Sequence, residues 1–221
     1  MKMRPVPFFL APLLLGSLVL PGCGSLLDST MPAPQTYVLR LPTATAPAAA
    51  TTGGSVLLLR PESGPGLDSE RIALLRSDQR FDFYAASRWA APAPDLVESV
   101  MVDALRGTGA FSAVFDDAAP FAPRYTVRCS LRRFEADYTS GARAPTVHVA
   151  LDCTLGRHRD RELLASFTAQ GSAAAGEDRL NSVVAAFGSA TAAAMNDLGR
   201  AISAGLASEK PAIEKPASES R

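Results

Sequence analysis

The stretch YTVRCSLR at residues 125–132, the first part of a run that continues to Tyr138, decides the fold of this chain. Apolar and polar residues alternate along this run, and they alternate again in Thr146–Leu155 and Leu163–Ala169. A period of two is typical of strands that bury one face and expose the other to water. Polar turns separate the three segments, so together they predict an antiparallel meander.

Shorter strands are expected before the meander, at Tyr37–Leu41, Ser55–Arg60, Arg71–Leu75, Phe81–Ala85 and Ala113–Phe115. The second of these is a continuous apolar run, which is typical of a central strand. The third and the fourth flank a polar Ser-Asp-Gln sequence and are predicted to form a hairpin. The low-complexity segment between the first two, residues 42–54, is predicted to be a loop.

Two helices complete the predicted domain. The first begins at Asp95, a predicted N-cap with Glu98 three residues later, and it ends at Gly107 and Gly109. The second runs from about Arg179 to Leu206 and is rich enough in alanine to pack closely on the sheet. We therefore predict an α/β protein, a two-layer sandwich with two helices on one face of a mostly antiparallel sheet.

Cys129 and Cys153 lie on the same face of the two longest predicted strands. If the turn between these strands is centred near Gly141, the register places the two cysteines opposite each other. A cross-strand disulfide would then fit, and an oxidising periplasm would favour it. The alternative is a pair of buried thiols that act as small apolar residues. Either role is structural.

A secretory signal peptide precedes the domain. After a basic start, the apolar segment Phe8–Leu20 is too short to span a bilayer as a stable helix. The residues that follow, with Leu20, Gly22 and Cys23, resemble the bacterial lipobox. That resemblance implies diacylation of the cysteine sulfur, cleavage before it, and acylation of the new amino terminus, with palmitate among the acyl groups. Several acyl chains hold a protein stably at a membrane surface. The alternative is an ordinary signal peptide with an unmodified cysteine.

The predicted organisation has four parts: the signal peptide 1–22, a lipidated N-terminus and flexible tether 23–36, the domain 37–206, and a disordered tail 207–221. Removing the signal peptide from the 221 residues leaves 199, which is enough for one domain. The chain has 22 basic and 22 acidic residues, so it is close to neutral. That balance argues against nucleic acid as a partner.

Residues typical of catalytic or metal sites are scarce in the sequence. The two histidines are His148, in a predicted strand, and His158, in a charged turn. The sequence contains no nucleophile elbow, no P-loop and no zinc-binding motif. We therefore expect a protein that is not an enzyme and that holds no metal or cofactor.

Two groups of residues are candidates for a partner-binding surface. The charged turn contains Arg157, Arg159 and Arg161, and it is either a solvated turn or a docking patch for an acidic partner or a lipid headgroup. Trp89, with Arg88 beside it, is either a core anchor or a contact for a partner or a neighbouring subunit.

The order of these features resembles the ABC-type transport auxiliary lipoprotein family. A lipobox is followed by the predicted strand Tyr37–Leu41, by Leu67-Asp68 with Ile72 and Arg76 downstream, and by Arg88-Trp89-Ala90-Ala91-Pro92 before the first helix. The resemblance covers about residues 37–206, and its most specific part is the stretch 67–92.

The resemblance implies a non-catalytic accessory subunit that works with an ABC transporter and with an MCE-domain protein that bridges the periplasm. It implies an anchor at the periplasmic face of the outer membrane, where the lipoprotein would dock the bridge and help to move phospholipids or other hydrophobic compounds. Gly24 and Ser25 follow Cys23. An aspartate directly after the cysteine would favour the inner membrane in enteric bacteria, so the inner membrane is the less favoured location.

Other readings remain open at this point. By analogy, a subunit that caps a tubular bridge could form a homo-oligomeric ring. The alternative functions are a structural lipoprotein in cell-wall synthesis or envelope assembly, and a lipid carrier with a cavity of its own.

Overall fold

A computed structural model describes residues 33–42, 54–116 and 121–209 of the chain. The predicted signal peptide, Cys23 with its lipobox residues Leu20 and Gly22, and the tether up to residue 32 lie outside the described residues. The same holds for most of the predicted loop 42–54 and for the tail from residue 210 onward.

The described chain contains nine strands and two helices. The strands are β1 (Gln35–Tyr37), β2 (Ser55–Leu58), β3 (Glu62–Ser63), β4 (Arg71–Leu75), β5 (Phe81–Trp89), β6 (Ala113–Phe115), β7 (Tyr125–Asp137), β8 (Thr146–Arg157) and β9 (Leu163–Ala174). The helices are α1 (Ala93–Thr108), between β5 and β6, and α2 (Leu180–Ala207), after β9.

All nine strands of the described residues belong to one forked sheet with β7 at its centre. One edge of β7 pairs antiparallel with β8, and β8 pairs antiparallel with β9. The other edge of β7 is shared, in order along the strand, by β2, β3 and β4, all parallel to it. From there β2 leads to β6, whereas β4 leads to β5 and β1.

The predicted α/β class is confirmed. The long strands are antiparallel, as expected, and the two helices contact each other and the sheet. The sheet is more mixed than the sequence suggests, because short segments from distant parts of the chain add in parallel to the free edge of β7. Local alternation identifies a strand and its buried face, but it carries no information about which distant strand will pair with it.

The core lies between the sheet and the helices. The inward-facing residues of β7 and β8 are almost fully buried, and they meet the buried side of α2. An aromatic cluster of Trp89, Phe134 and Phe187 is its centre: the ring of Phe187 lies 5.1 Å from that of Trp89 and 4.9 Å from that of Phe134. Each buried aromatic side chain contributes roughly 2–3 kcal/mol through the hydrophobic effect, so this cluster ties β5, β7 and α2 together.

Helix α1 begins at Ala93, so the prediction that Asp95 is its N-cap is wrong. Pro92 precedes the helix and Pro94 lies in its first turn, where a backbone N–H has no intrahelical partner to lose. The Asp95 carboxylate instead accepts a hydrogen bond from Arg60. The predicted end is correct: Gly109 follows the last turn with a left-handed φ of 64°.

Strand β1 ends at Tyr37, so the predicted strand Tyr37–Leu41 is misplaced. After Tyr37 the chain leaves the sheet and crosses α2 at Gly188, where the Arg40 carbonyl oxygen would lie 2.2 Å from a Cβ atom. Leu39 and Leu41 still pack, partly buried, against the core. The alternation of residues 37–41 therefore reflects a segment that lies outside the sheet and packs one face against the domain.

Helix α2 lies directly on β9. A Cβ atom at Gly171 would come within 2.1 Å of the Ala190 carbonyl oxygen and 2.6 Å of the Ala194 backbone nitrogen. The alanines of α2 therefore let the helix backbone approach the strand, as the composition of the helix predicts. Neither helix in the described part of the chain combines the length and the hydropathy needed to cross a membrane.

The close approach can be tested with Gly171→Ala. The added methyl group must push the backbone of α2 away from β9, so we expect a loss of about 2 kcal/mol in the free energy of unfolding, measured by urea denaturation. Gly107→Ala is the matched control: it lies in α1 with no atom within 4 Å of its Cβ position, and it should stabilise the protein by about 0.5–1 kcal/mol. Equal effects of the two substitutions would contradict the packing described here.

Candidate functional site

One end of the sheet combines most of the predicted surface residues. It is formed by residues 121–124, which lead into β7, and by residues 157–163, which join β8 to β9; we call these residues the arginine rim. A backbone hydrogen bond joins its two parts: the His158 amide donates to the Arg124 carbonyl at 2.9 Å. A second, from the Arg157 amide to the Glu162 carbonyl at 2.8 Å, closes the turn between β8 and β9.

Arg157 is the hub of this end of the molecule. Its guanidinium lies 2.8 Å from Asp160, 2.6 Å from Glu162 and 2.9 Å from Glu209. The Tyr125 hydroxyl donates a 2.7 Å hydrogen bond to the second Glu209 oxygen. Arg157 was predicted as part of a partner surface, but its charge is already neutralised by three carboxylates of its own chain. It joins the end of α2 to the sheet.

Glu209 shows that the ordered domain continues past the predicted boundary at residue 206. Helix α2 ends at Ala207, and the Glu209 side chain, only 13% exposed, lies against Arg157 and Tyr125. The Tyr125 hydroxyl and the Arg157 guanidinium hold the pKa of the Glu209 carboxyl below its usual value. This contact was not predicted, because sequence alone does not show which charge of a polar tail meets an arginine 52 residues earlier.

Arg159 and Arg161 behave differently from Arg157. Both are exposed, and within the described residues neither forms a hydrogen bond or an ion pair. Arg161 has a left-handed φ of 57°, a conformation that costs a non-glycine residue roughly 1–2 kcal/mol. His158 shares a 3.0 Å hydrogen bond with the Thr126 hydroxyl. The free cations of the predicted patch are therefore Arg159 and Arg161.

Trp89 is not a surface residue, and its prediction as a partner contact is wrong. It is 0% exposed. Phe83 and Trp89 would share a face on a regular strand, but β5 contains a bulge, marked by Ala86 at φ 50° and by a register shift in its pairing with β4. The bulge turns Trp89 into the core. The alternative that the sequence left open, a core anchor, describes its position.

Arg88 lies at the surface next to Trp89, and 50% of its side chain is exposed. It forms a 2.9 Å ion pair with Glu70 and donates a hydrogen bond to the Thr36 hydroxyl at 3.4 Å. These contacts attach β1 to its neighbours. The structure therefore does not combine Arg88 and the charged turn into one surface: Arg88 belongs to the β5 branch of the sheet and the turn to the β8–β9 end.

Cys129 and Cys153 face each other across β7 and β8, in the register described by a turn near Gly141. Their sulfur atoms lie 2.07 Å apart, as a disulfide. Both residues are 2% exposed, so the bond lies in the core beneath α2 and is not accessible for chemistry at the surface.

Two polar clusters were not identified from the sequence: one lies within β7, and the other joins residues from distant parts of the chain. On the face of the sheet opposite the helices, Arg133 pairs with the buried Glu135 at 2.6 Å and with Asp137 at 3.1 Å. Near the carboxyl end of β7, Tyr138 donates to Asp178 at 2.6 Å and lies 2.9 Å from the Tyr84 hydroxyl. Burial and the Asp178 hydrogen bond raise the pKa of Tyr138.

Neither cluster has the composition of a metal or catalytic site. In the described residues no group of three or more histidine, cysteine, aspartate or glutamate side chains is arranged to hold a metal ion. Within each cluster the side chains bind one another. Most charged side chains of the described residues pair with one another. Arg159 and Arg161 of the arginine rim, like Arg40 and Arg143 elsewhere, are exposed and form no hydrogen bond or ion pair through their side chains within the described residues.

Comparisons with known proteins agree with this description. A model of the family described as "ABC-type transport auxiliary lipoprotein component" matches residues 37–199. The crystal structure of protein XCC0632 from Xanthomonas campestris, assigned to the family DUF330, is similar with a TM-score of 0.71 and 25% identity over 80% of this chain and 100% of that one. A second solved structure, of an uncharacterized protein, has a TM-score of 0.61 and 13% identity over 77% and 99%. No curated protein matches the sequence.

The Glu209 contact predicts a pH-dependent stability. Because the pKa of Glu209 is lowered on folding, its contribution is fully present above its unfolded value of about 4.5 and is lost as the pH falls below that value. We expect Glu209→Gln to cost about 2 kcal/mol at pH 7, or about 4–8 °C in melting temperature. The difference between variant and wild type should shrink towards zero near pH 3. A difference that stays constant from pH 7 to pH 3 would show that the carboxylate is not held by this network.

The disulfide predicts a redox-dependent stability. It closes a loop with a sequence separation of 24 residues, for which loop-closure entropy gives about 3 kcal/mol. Cys129→Ala combined with Cys153→Ala should therefore melt about 6–12 °C below the oxidised wild type. Dithiothreitol should lower the melting temperature of the wild type and leave the double variant unchanged. An equal response of the two proteins to the reductant would refute the bond.

Proposed function

This chain belongs to the family of ABC-type transport auxiliary lipoprotein components, and on that premise we propose that it is a non-catalytic accessory subunit of an ABC system that transports lipids or other hydrophobic compounds across the envelope. The observation that carries the proposal is the extent of the family match. Residues 37–199 include β2 to β9, the last residue of β1, α1 and most of α2. The family match therefore covers most of the described fold.

The finer parts of the proposal rest on the N-terminal sequence. Leu20, Gly22 and Cys23 form a lipobox-like site, and a chain acylated there would be held at a membrane surface by its lipids. The sequence after the cysteine, Gly24-Ser25, supports the outer membrane as the location. Nine residues separate Cys23 from Ala33, the first described residue, so the domain would stay close to the bilayer.

The proposed mechanism is docking. An ABC transporter in the inner membrane supplies the energy, and an MCE-domain protein provides the route across the periplasm. The lipoprotein fixes the far end of that route at the outer membrane. The domain suits this role because its core is stabilised by the disulfide and the aromatic cluster, so its surface can bear a load without rearrangement.

The proposal predicts a specific set of co-purifying proteins. The lipidated wild-type chain, extracted in detergent from its native envelope and captured by a C-terminal tag, should recover the ATPase, the permease and the MCE-domain protein, each identified by mass spectrometry. Cys23→Ser provides the control, since without acylation the chain should leave the outer-membrane fraction of a sucrose gradient. Recovery of cell-wall enzymes in place of the transporter would refute the proposal.

A further inference from the structure

Large apolar side chains are exposed at a few positions of the described residues. Four large ones are exposed: Val38 by 49%, Phe81 by 41%, Phe121 by 71% and Leu163 by 62%. The two most exposed, Phe121 and Leu163, both belong to the arginine rim. Phe121 lies beside Phe115 of β6, with 6.5 Å between ring centroids, and Leu163 pairs with Gly156 on the β8–β9 side. They therefore mark the two ends of the rim.

Cations lie between these two apolar side chains. The Arg124 side chain is 55% exposed, and Arg159 and Arg161 are exposed without an ion pair within the described residues. The carboxylates Asp160, Glu162 and Glu209 all turn towards Arg157. Glu209 also lies 3.9 Å from Arg124, and Asp160 and Glu162 are themselves 49% and 58% exposed. The unpaired charge of the rim within the described residues is therefore that of Arg159 and Arg161. An apolar–basic–apolar strip of this kind matches a partner that is acidic with apolar flanks.

Arg161 supports a binding role for the strip. Its φ of 57° is a position where glycine would be less strained. Within the described residues the side chain forms no hydrogen bond or ion pair that would compensate for this cost. Strained residues of this kind are concentrated at functional sites. A partner outside the chain that binds the guanidinium would explain why an arginine occupies this strained position.

The charge pattern of the rim favours a protein partner over a lipid surface. Asp160 and Glu162 alternate with Arg159 and Arg161 along the chain, and their side chains are 49% and 58% exposed. An anionic lipid surface would repel these two carboxylates. A protein segment can instead place its own carboxylates against Arg159 and Arg161 individually.

We propose that the arginine rim is the docking surface for an acidic segment with apolar residues on the periplasm-spanning protein of the transport system. This inference rests on the proposed function, since it takes the partner from it. It adds the surface and the chemistry of the contact: Phe121 and Leu163 bury apolar side chains of the segment, and Arg159 and Arg161 pair with its carboxylates.

Site-specific photocrosslinking in the native envelope tests the surface. Benzoylphenylalanine is placed at position 121 or 163, and at the exposed apolar positions 38 and 81 as matched controls. We expect crosslinks to the periplasm-spanning protein from 121 and 163 only. Crosslinks from the control positions alone, to phospholipid, or to a second copy of this chain from the rim would each overturn the proposal.

Charge reversal tests the chemistry. Arg159→Glu with Arg161→Glu should lower recovery of the transporter about tenfold in the capture experiment, since like charges at the rim of an interface repel an acidic partner. Arg128→Glu with Arg132→Glu is the matched control, because both side chains are well exposed, at 63% and 65%, on the open face of the sheet. Equal loss in both double variants would overturn the proposal.

Arg161→Gly separates binding from folding. Removing the left-handed strain should not lower the melting temperature, whereas recovery of the transporter should fall because the cation is lost. Normal recovery of the transporter by this variant would show that Arg161 is not part of the docking surface.

If every rim variant recovers the transporter as well as the wild type does, the inference fails and the proposed function stands. If the wild type recovers no transporter, the proposed function itself has failed.

Discussion

Strand β7 is hydrogen-bonded along both of its edges, and the rest of the structure depends on this. β8 occupies one edge over the whole length of the strand. The other edge is divided among β2, β3 and β4, which come from three successive segments before α1. A strand of 13 residues can accept three short neighbours because each needs only two or three residue pairs. The fork of the sheet, and the separation of its two branches, follow from this division.

The fork explains which parts of the fold could be predicted. The meander, both helices, the hairpin and the short strand β6 have local patterns, so their alternation or period is visible in the sequence. The parallel pairs on the free edge of β7 join segments far apart in the chain, and no local pattern records them. The bulge near Ala86 is a similar case. The bulge reverses the face of β5 on which Trp89 lies. Alternation along the strand therefore cannot assign Trp89 to the core, although it lies at the centre of the core.

The candidate site was predictable as a composition but not as an arrangement. The sequence shows a charged turn, yet it does not show that Arg157 pairs with three carboxylates while Arg159 and Arg161 have no ion pair among the described residues. Nor does it show that Phe121 and Leu163, separated by about 40 residues, stand at the two ends of one strip. Whether a charged side chain can bind a partner or is paired within the domain depends on the neighbours that the fold supplies. Here β7, β8 and the end of α2 supply those neighbours.

The way the chain joins the sheet at β1 has a mechanical consequence. Three residue pairs connect β1 to β5, and directly after them residues 38–42 pass across α2 at Gly188. A force applied to the N-terminal end acts along the axis of β1 and loads those hydrogen bonds together in shear. The segment that crosses the helix limits how far β1 can move. A domain tethered through this segment would transmit tension into its core through a short, rigid joint, and the meander with its disulfide would carry none of the first load.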